Sequence, residues 1–192
     1  MLKDLICRSR SYRSFDESQR ITREQLLNWV DHARLSPSSI NLQMLKFRLI
    51  YRENECDLML ANTKWAGKIK DQKLPPDNHA PTAYIVICAD TNVIATAEKF
   101  QKDVGICAQS IMLAAAEEGF GGCMIGAFNP EGVREALAIP ETLTPLLTIA
   151  LGKPEEMVVL TEAENGAVHY YRDENNVHYV PKRSLDEIII PE

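Results

Sequence analysis

The chain has 192 residues, of which 45% are hydrophobic and 25% charged, and its formal net charge is −6. This length and composition fit one soluble globular domain, or one such domain with a modest appendage, and argue against disorder of the whole chain. The negative charge argues against nucleic-acid binding, because neutralising a phosphate backbone requires a basic face. No apolar run approaches membrane-spanning length, and the N-terminus lacks the apolar stretch of a signal peptide. We therefore expect a cytoplasmic protein that binds neither membrane nor nucleic acid.

Five cysteines are spread along the chain without a C-x-x-C pair. Cys88 lies in an apolar run, and Cys107 and Cys123 have apolar or small neighbours. This pattern predicts reduced cysteines that are buried as small hydrophobic residues, rather than disulfides or a metal site.

The first half of the chain predicts helices that alternate with short strands. The segment from Thr22 to Gln25 has the capping-box pattern of a helix start, and Ser36-Pro37 ends that helix because the residue before proline avoids helical geometry. The predicted elements, in chain order, are a helix over residues 2–8, a helix from Thr22 to about Leu35, a loop over 36–41, a strand around 47–51, a helix over 53–70, a proline-punctuated loop over 73–81 and a strand over 83–89.

The second half continues this alternation. A helix over residues 96–118 carries apolar residues at helical spacing and unusually many small residues, among them Gly105 and Ala108. The remaining elements are a strand over 123–125, a helix from Asn129-Pro130 to about Leu137, a strand over 146–151, a hairpin around residues 173–176 and an apolar tail over 185–190. Because the order shows no regular βαβ rhythm, we predict an α+β fold with a mixed, mostly antiparallel central sheet flanked by helices.

The usual motifs of a protein-borne nucleophile or a nucleotide loop are missing from the sequence. It contains no G-x-G-x-x-G loop, no Walker loop, no H-E-x-x-H helix and no G-x-S-x-G elbow, and its four histidines are scattered. A protein without such groups can take its chemistry from a cofactor, so we expect no catalytic side chain.

Residues 8–15 concentrate three arginines and three serines within eight positions. Guanidinium forks and hydroxyls are the donors that a phosphate monoester requires. From the residues alone two interpretations stay open. One is a site for a small anionic ligand, and the other is a solvated segment in which Arg10 and Arg13 pair with Asp16 or Glu17.

Five segments resemble the FMN-dependent nitroreductase family, in the order in which that family carries them. They are residues 10–15 for the opening motif, 33–43 for the second signature, 103–126 for the central helix and flavin-edge strand, 148–154 for the last core strand and 180–183 for the C-terminal basic element. Ser9 departs from the pattern, because many members carry a basic residue there, and Arg8 is a candidate substitute.

The resemblance implies a single nitroreductase-like FMN-binding domain over residues 1–192, of an obligate homodimer type, whose tail from about 181 to 192 packs on the partner subunit. The small-residue helix would form the dimer core, and two FMN sites would lie at the subunit interface. Arg10 and Ser11 would contact the FMN phosphate and ribityl end together with Lys182 and Arg183.

The flavin ring would have its own set of neighbours. Arg13 would lie at the pyrimidine edge, where a cation stabilises the reduced flavin. The remaining candidates are Pro37, Ser38 and Asn41 from the partner subunit, Gln43 as a further lining residue, the backbone N–H near Ile125 or Gly126 facing flavin N5, and Trp65 as a substrate contact.

The implied reaction is that of an NAD(P)H oxidoreductase. NAD(P)H would give a hydride to FMN N5, and a nitroaromatic, quinone or similar small acceptor would then take the electrons by a ping-pong mechanism that needs no catalytic side chain and no metal. Two alternatives remain. One is a flavin-dependent dehalogenase or flavin-fragmenting relative, for which residues 53–80 with Trp65 are the lid candidate. The other is a non-catalytic FMN-binding protein.

Overall fold

A five-stranded sheet forms the centre of the first unit of the structure. The computed structural model describes residues 1–65, 72–94 and 100–191, which form two units, Met1–Pro154 and Glu155–Glu192. The strands of the first unit are β1 (Phe15–Asp16), β2 (Leu45–Ile50), β3 (Ala83–Asp90), β4 (Gly121–Ile125) and β5 (Leu143–Pro154). Its helices are α1 (Leu2–Arg8), α2 (Arg23–Leu35), α3 (Glu53–Ala61), α4 (Gln101–Glu117) and α5 (Pro130–Ala136).

Strand β5 organises this sheet. The strand order is β1-β5-β3-β2, β4 also pairs with β5, and all of these pairings are antiparallel. β5 extends beyond the predicted 146–151 at both ends, because residues 143–145 pair with β3, Gly152 pairs with β4, and residues 153–154 pair with β1. The α+β prediction with a mostly antiparallel sheet flanked by helices is confirmed.

Both faces of the sheet are covered. Along β3, Ile85 and Ile87 pack into a cluster with residues of α2 and α4, whereas Tyr84, Val86 and Cys88 pack into a second cluster with residues of α3 and α5. Successive side chains of a strand point to opposite faces, so a strand covered on both sides reads as one continuous apolar run. This explains why β3 lacks an apolar–polar alternation, so that its short length and β-branched residues are its sequence signal.

Helices α2 and α4 are joined by one carboxylate at the end of α4. Glu118 accepts hydrogen bonds from Gln25 Nε2 at 3.1 Å, Asn28 Nδ2 at 3.2 Å and Trp29 Nε1 at 2.9 Å. At the start of α2 the predicted capping box is present, with Thr22 Oγ1 accepting from the Gln25 N–H. The bounds predicted for α2 are therefore confirmed at both ends.

Helix α3 ends at Ala61, so the predicted helix over 53–70 is wrong over residues 62–65. The chain leaves the helix because Asn62 O accepts from the Asn129 N–H at 2.9 Å, and Thr63 then forms an antiparallel bridge with Phe128. These long-range contacts compete with helix continuation and have no local signal in the sequence. Residues 66–70 of this predicted helix and residues 96–99 of the predicted helix over 96–118 lie outside the described residues.

The second unit contains β6 (Val158–Glu162), β7 (Tyr171–Arg172), β8 (His178–Lys182) and α6 (Leu185–Ile188). Strand β8 pairs parallel with β6 and antiparallel with β7, so the predicted hairpin around residues 173–176 is confirmed. The buried Arg172 forms an ion pair with the buried Glu156. In the described chain Ile190 is 89% exposed, and the packing of the tail on a partner subunit stays a prediction.

The N-terminal segment is fastened beside β4. Ser11 forms a parallel bridge with Gly122, and the Tyr12 N–H donates to Gly122 O at 2.9 Å. A Cβ atom on Gly122 would lie 2.2 Å from Ala150 O. This close approach explains the glycine, because the neighbouring backbone of β5 leaves no space for a side chain. No helix among the described residues is long and apolar enough to cross a membrane.

We predict that Gly122→Ala destabilises the fold by about 1–3 kcal/mol, because the added methyl group must push β4 away from β5. The measurement is the free energy of unfolding in urea. Gly105→Ala is the matched control, since a Cβ on this α4 glycine meets no atom within 4 Å and alanine favours a helix. Equal stability of Gly122→Ala and the wild type would contradict the packing described for β4.

Candidate functional site

The arginine-rich segment and β4 form one edge of the candidate site. The bridge at Gly122 sets the segment parallel to β4, and Tyr12 covers Gly121, on which a Cβ would lie 2.5 Å from the tyrosine ring. The Tyr12 hydroxyl also donates to Arg8 O at 2.9 Å. These contacts fix the backbone from Arg8 to Arg13, and they therefore fix the point at which each arginine side chain leaves the main chain.

Arg10 has a buried donor that no group of the described chain uses. Its Nη2 donates to Ile6 O at 2.6 Å, whereas its Nε is buried and has no hydrogen-bond partner among the described residues. A buried, unsatisfied donor on a permanent cation is costly unless a ligand satisfies it. The neighbouring Ser11 is exposed, so its hydroxyl is available to an anion beside this unsatisfied guanidinium.

A cavity of about 160 Å³, here called the strand-end cavity, lies where β4 ends. It is lined by Arg13, Lys64, Trp65 and residues 123–127. The Lys64 N–H donates to Ala127 O at 2.8 Å, and Trp65 Nε1 donates to Thr63 Oγ1 at 3.0 Å. The chain beyond α3 is thus held against the end of β4, and two cationic side chains reach one cavity.

The strand-end cavity is open above Gly126, the last residue of the segment that we expect to face the flavin. Ile125 is buried, Gly126 is exposed, and a Cβ on Gly126 would meet no atom within 4 Å. A flat ring could therefore approach the backbone there, with Arg13 and Lys64 beside it to stabilise negative charge. These residues and the unsatisfied Nε of Arg10 fit an anionic flavin nucleotide.

A second cavity of about 120 Å³, here called the loop cavity, lies between α2, β2 and α4. Its lining residues are Ala33, Arg34, Ser36, Ser38, Gln43, Met44, Leu45, Phe47, Asp103 and Cys107. Two residues predicted to line the flavin, Ser38 and Gln43, belong to it. Ser38 Oγ is buried without a hydrogen-bond partner among the described residues.

The loop that carries these residues is strained. Ile40, Asn41 and Gln43 have positive φ angles of 49°, 55° and 50°. Each left-handed residue other than glycine costs on the order of 1 kcal/mol, and a β-branched residue such as Ile40 is the least suited. Gln43 Nε2 donates to Asn41 Oδ1 at 3.1 Å, and Pro37, Ile40 and Asn41 are exposed.

Within one chain the predicted site residues fall into separate groups. Arg13, Trp65, Ile125 and Gly126 line or border the strand-end cavity, whereas Ser38 and Gln43 line the loop cavity. The exposed Lys182 and Arg183 belong to the second unit, where Arg183 Nη1 donates to Glu187 Oε1 at 3.4 Å. Their contribution to the phosphate site therefore stays a prediction, as does the contribution of Pro37, Ser38 and Asn41 from a partner subunit.

Sequence reasoning missed Lys64. It belongs to no recognisable motif, and it reaches the strand-end cavity only because Thr63 bridges to Phe128. Asp103 is a second omission, since it was noted only as the start of a family segment. It is 2% exposed and contacts the strained loop.

The fold is that of the nitroreductase family. A nitroreductase family protein from Streptococcus pneumoniae is similar over 100% of both chains, with a TM-score of 0.70 and 19% identity. Residues 8–153 match the sequence model of the Nitroreductase family. The chain therefore belongs to this family of oxidoreductases, and the resemblance noted in the sequence is confirmed.

Two curated relatives are identical to this chain at about a quarter of the aligned positions. A Methanothermobacter thermautotrophicus protein, provisionally named NADH dehydrogenase/NAD(P)H nitroreductase, is 26% identical over 77% of this chain and 74% of its own length. The Bacillus subtilis protein provisionally named NAD(P)H nitroreductase YodC is 25% identical over 78% of this chain and 88% of its own length.

Two further solved structures with this fold are described with FMN. An FMN-dependent nitroreductase from Clostridium difficile R20291 is 25% identical, covers 84% of this chain and 90% of its own, and has a TM-score of 0.61. A protein from Exiguobacterium sibiricum, solved in complex with FMN, has a TM-score of 0.67 over 81% of this chain and 89% of its own. At 18% identity this second likeness shows the fold alone.

The cysteines provide a prediction for thiol reactivity. Burial raises the pKa of the Cys56 and Cys88 thiols to about 12 each and also raises the pKa of Cys107, so these thiols stay protonated and unreactive. Cys123 is buried and Cys7 is exposed. We expect Ellman's reagent to modify Cys7 rapidly in the native protein and the other four cysteines only after unfolding.

Cys7→Ser is the control for this measurement, because it removes the exposed thiol and leaves the buried ones in place. The variant is expected to lose the fast phase of the reaction. A second fast-reacting thiol in the native wild type would show that the core opens more readily than its burial indicates.

Proposed function

We propose that this protein is an FMN-dependent NAD(P)H oxidoreductase that passes electrons to nitroaromatic, quinone or similar small acceptors. One observation carries the proposal: the arginine-rich segment lies parallel to β4, so that Arg13 lines the cavity at the end of that strand. A phosphate-binding segment and an open backbone edge at Gly126 are thereby parts of one surface.

FMN bound at this surface would supply the electron carrier that NAD(P)H reduces and the acceptor reoxidises. Arg10 and Ser11 would bind its phosphate, which would satisfy the buried Nε of Arg10. Arg13 and Lys64 would face the ring, where a positive charge stabilises the negative charge gained on reduction. Side chains that only bind and stabilise are sufficient for this chemistry, which agrees with the lack of a nucleophile motif.

The relatives support the same assignment. The Clostridium difficile protein is described as FMN-dependent, and both curated relatives carry NAD(P)H nitroreductase in their provisional names. By this assignment we propose that NAD(P)H is also the reductant of this chain.

We also propose a homodimer. The loop cavity and the strand-end cavity are separate in one chain, and a second copy would bring Pro37, Ser38, Asn41 and Gln43 to the flavin of its partner. The exposed apolar side chains of α6 and of the tail would then be covered, which avoids the cost of leaving them in water.

The first test is direct. Purified protein is expected to be yellow, to release FMN on denaturation, and to oxidise NADH or NADPH in the presence of menadione or a nitroarene. Arg10→Ala is expected to raise the FMN dissociation constant at least about tenfold, because it removes a charge-assisted hydrogen bond to the phosphate.

Arg23→Ala is the matched control for Arg10→Ala. It makes the same change in net charge at the exposed first residue of α2, and its FMN affinity is expected to match that of the wild type. A colourless wild type that takes up no FMN would overturn the proposed function. Bound FMN without turnover would favour a non-catalytic FMN-binding protein.

A second test concerns the cation at the ring. Arg13→Gln is expected to shift the midpoint potential of bound FMN to more negative values by on the order of 30 mV, since a loss of about 1.4 kcal/mol corresponds to that shift for two electrons. Arg13→Lys keeps the charge and is expected to shift the potential less. An unchanged potential in Arg13→Gln, measured by spectroelectrochemical titration, would contradict the proposed role.

A further inference from the structure

Three polar side chains lie on one face of α4 and contact the last turn of α2 or the loop that follows it. Asp103, Cys107 and Ser110 are spaced by four and three residues, which places them on one side of a helix. Cys107 Sγ contacts Ala33 O at 3.7 Å, and Ser110 Oγ lies 2.7 Å from Ser36 Oγ. Asp103 makes the most contacts, and they reach furthest towards the flavin-lining residues of the loop.

In the described part of the chain, the hydrogen bonds that the Asp103 carboxylate accepts all come from one residue. The Ser39 N–H donates to Oδ1 at 3.2 Å and Oδ2 at 3.0 Å, and the Ser39 hydroxyl donates to Oδ1 at 2.7 Å. Asp103 is 2% exposed and forms no ion pair with a described residue. A buried carboxylate without a cation is unfavourable unless hydrogen bonds and local dipoles stabilise it, and Asp103 lies in the first turn of α4, where the helix dipole is favourable.

Ser39 is the residue that leads into the strained segment. Ile40, Asn41 and Gln43 follow it in the left-handed region, and Ile40 is 87% exposed, so its own side chain does not hold it there. A strained backbone persists only where surrounding contacts determine it. The contacts of Ser39 with Asp103 supply such a constraint at the N-terminal end of this segment.

We propose that Asp103 is a positioning residue of the flavin site. Through Ser39 it holds residues 38–43 in the conformation in which Ser38, Asn41 and Gln43 line the flavin of the partner subunit. This inference rests on the proposed function. It gives a function to a buried carboxyl group that the electron transfer does not itself require.

The FMN affinity then depends on the conformation of residues 38–43. If only a fraction of the molecules hold residues 38–43 in the competent conformation, the apparent dissociation constant rises by the inverse of that fraction. Asp103→Asn keeps the shape of the side chain but replaces one carboxylate oxygen with an NH2 group. This group is a donor and cannot accept the Ser39 N–H. The loop is then expected to leave its strained conformation for much of the time.

The experiment compares Asp103→Asn with Glu118→Gln. Each variant neutralises a carboxylate near one end of α4 that accepts three hydrogen bonds, but the partners of Glu118 are side chains of α2, away from the loop. We expect Asp103→Asn to raise the FMN dissociation constant about tenfold or more and Glu118→Gln to leave it within about twofold. Thermal melting of the apoproteins reports the general loss of stability for both.

Relief of strain provides a readout that a merely structural role would not change. Asparagine tolerates the left-handed region better than isoleucine, so Ile40→Asn lowers the cost of the strained conformation. In a double-mutant cycle, Asp103→Asn is expected to weaken FMN binding less in the Ile40→Asn background than in the wild type. If Asp103→Asn does not fold, Ser39→Ala removes the 2.7 Å hydroxyl contact alone. We expect this variant also to raise the FMN dissociation constant, but by a smaller factor.

The outcomes separate this inference from the proposed function. A wild type that binds no FMN refutes the proposed function. If the wild type binds FMN but Asp103→Asn and Glu118→Gln weaken binding equally, or if Ile40→Asn gives no relief, Asp103 is only a structural residue and the inference is wrong.

Discussion

The pairing of the N-terminal segment with β4 is the contact on which the candidate site depends. Tyr12 and Ser11 meet Gly122 through the backbone, and this fixes the direction in which the arginines leave the chain. The contact requires glycine at 122, because β5 fills the space where a side chain would lie. An arginine-rich segment far from β4 in sequence, which we propose to bind the FMN phosphate, thereby becomes part of the same surface as the end of that strand.

The sheet behind this surface is rigid for a simple reason. β3 is buried on both faces and pairs on both edges, so neither its side chains nor its backbone groups remain exposed to water. β5, which also pairs with β4, is held by the same network of hydrogen bonds. The functional groups therefore lie on loops and strand ends around a fixed centre, an arrangement that favours precise positioning.

Strain is concentrated where a partner and a flavin are proposed to bind. The left-handed residues Ile40, Asn41 and Gln43 follow one another closely in a loop fastened to α4, and most of their side chains point away from the core. Such a loop has little freedom to adapt, so binding would require little ordering. The same family fold can present different chemistry through its loops, and the identity of the acceptor depends on such details.

Much of this protein was predictable from its sequence, because local patterns carry the information for helix caps, buried strands and the α+β order. The capping box at Thr22, the Asn129-Pro130 helix start and the run of β3 all depend on neighbouring residues, and the structure contains each of them. The family motifs likewise identified Arg13 and Gly126 as parts of one region.

The end of α3 at Ala61 and the presence of Lys64 in the strand-end cavity depend on contacts with residues near 128, and only the tertiary structure decided them. The contacts of Asp103 have the same origin, since this buried carboxylate meets Ser39 only when α4 packs against the loop after α2.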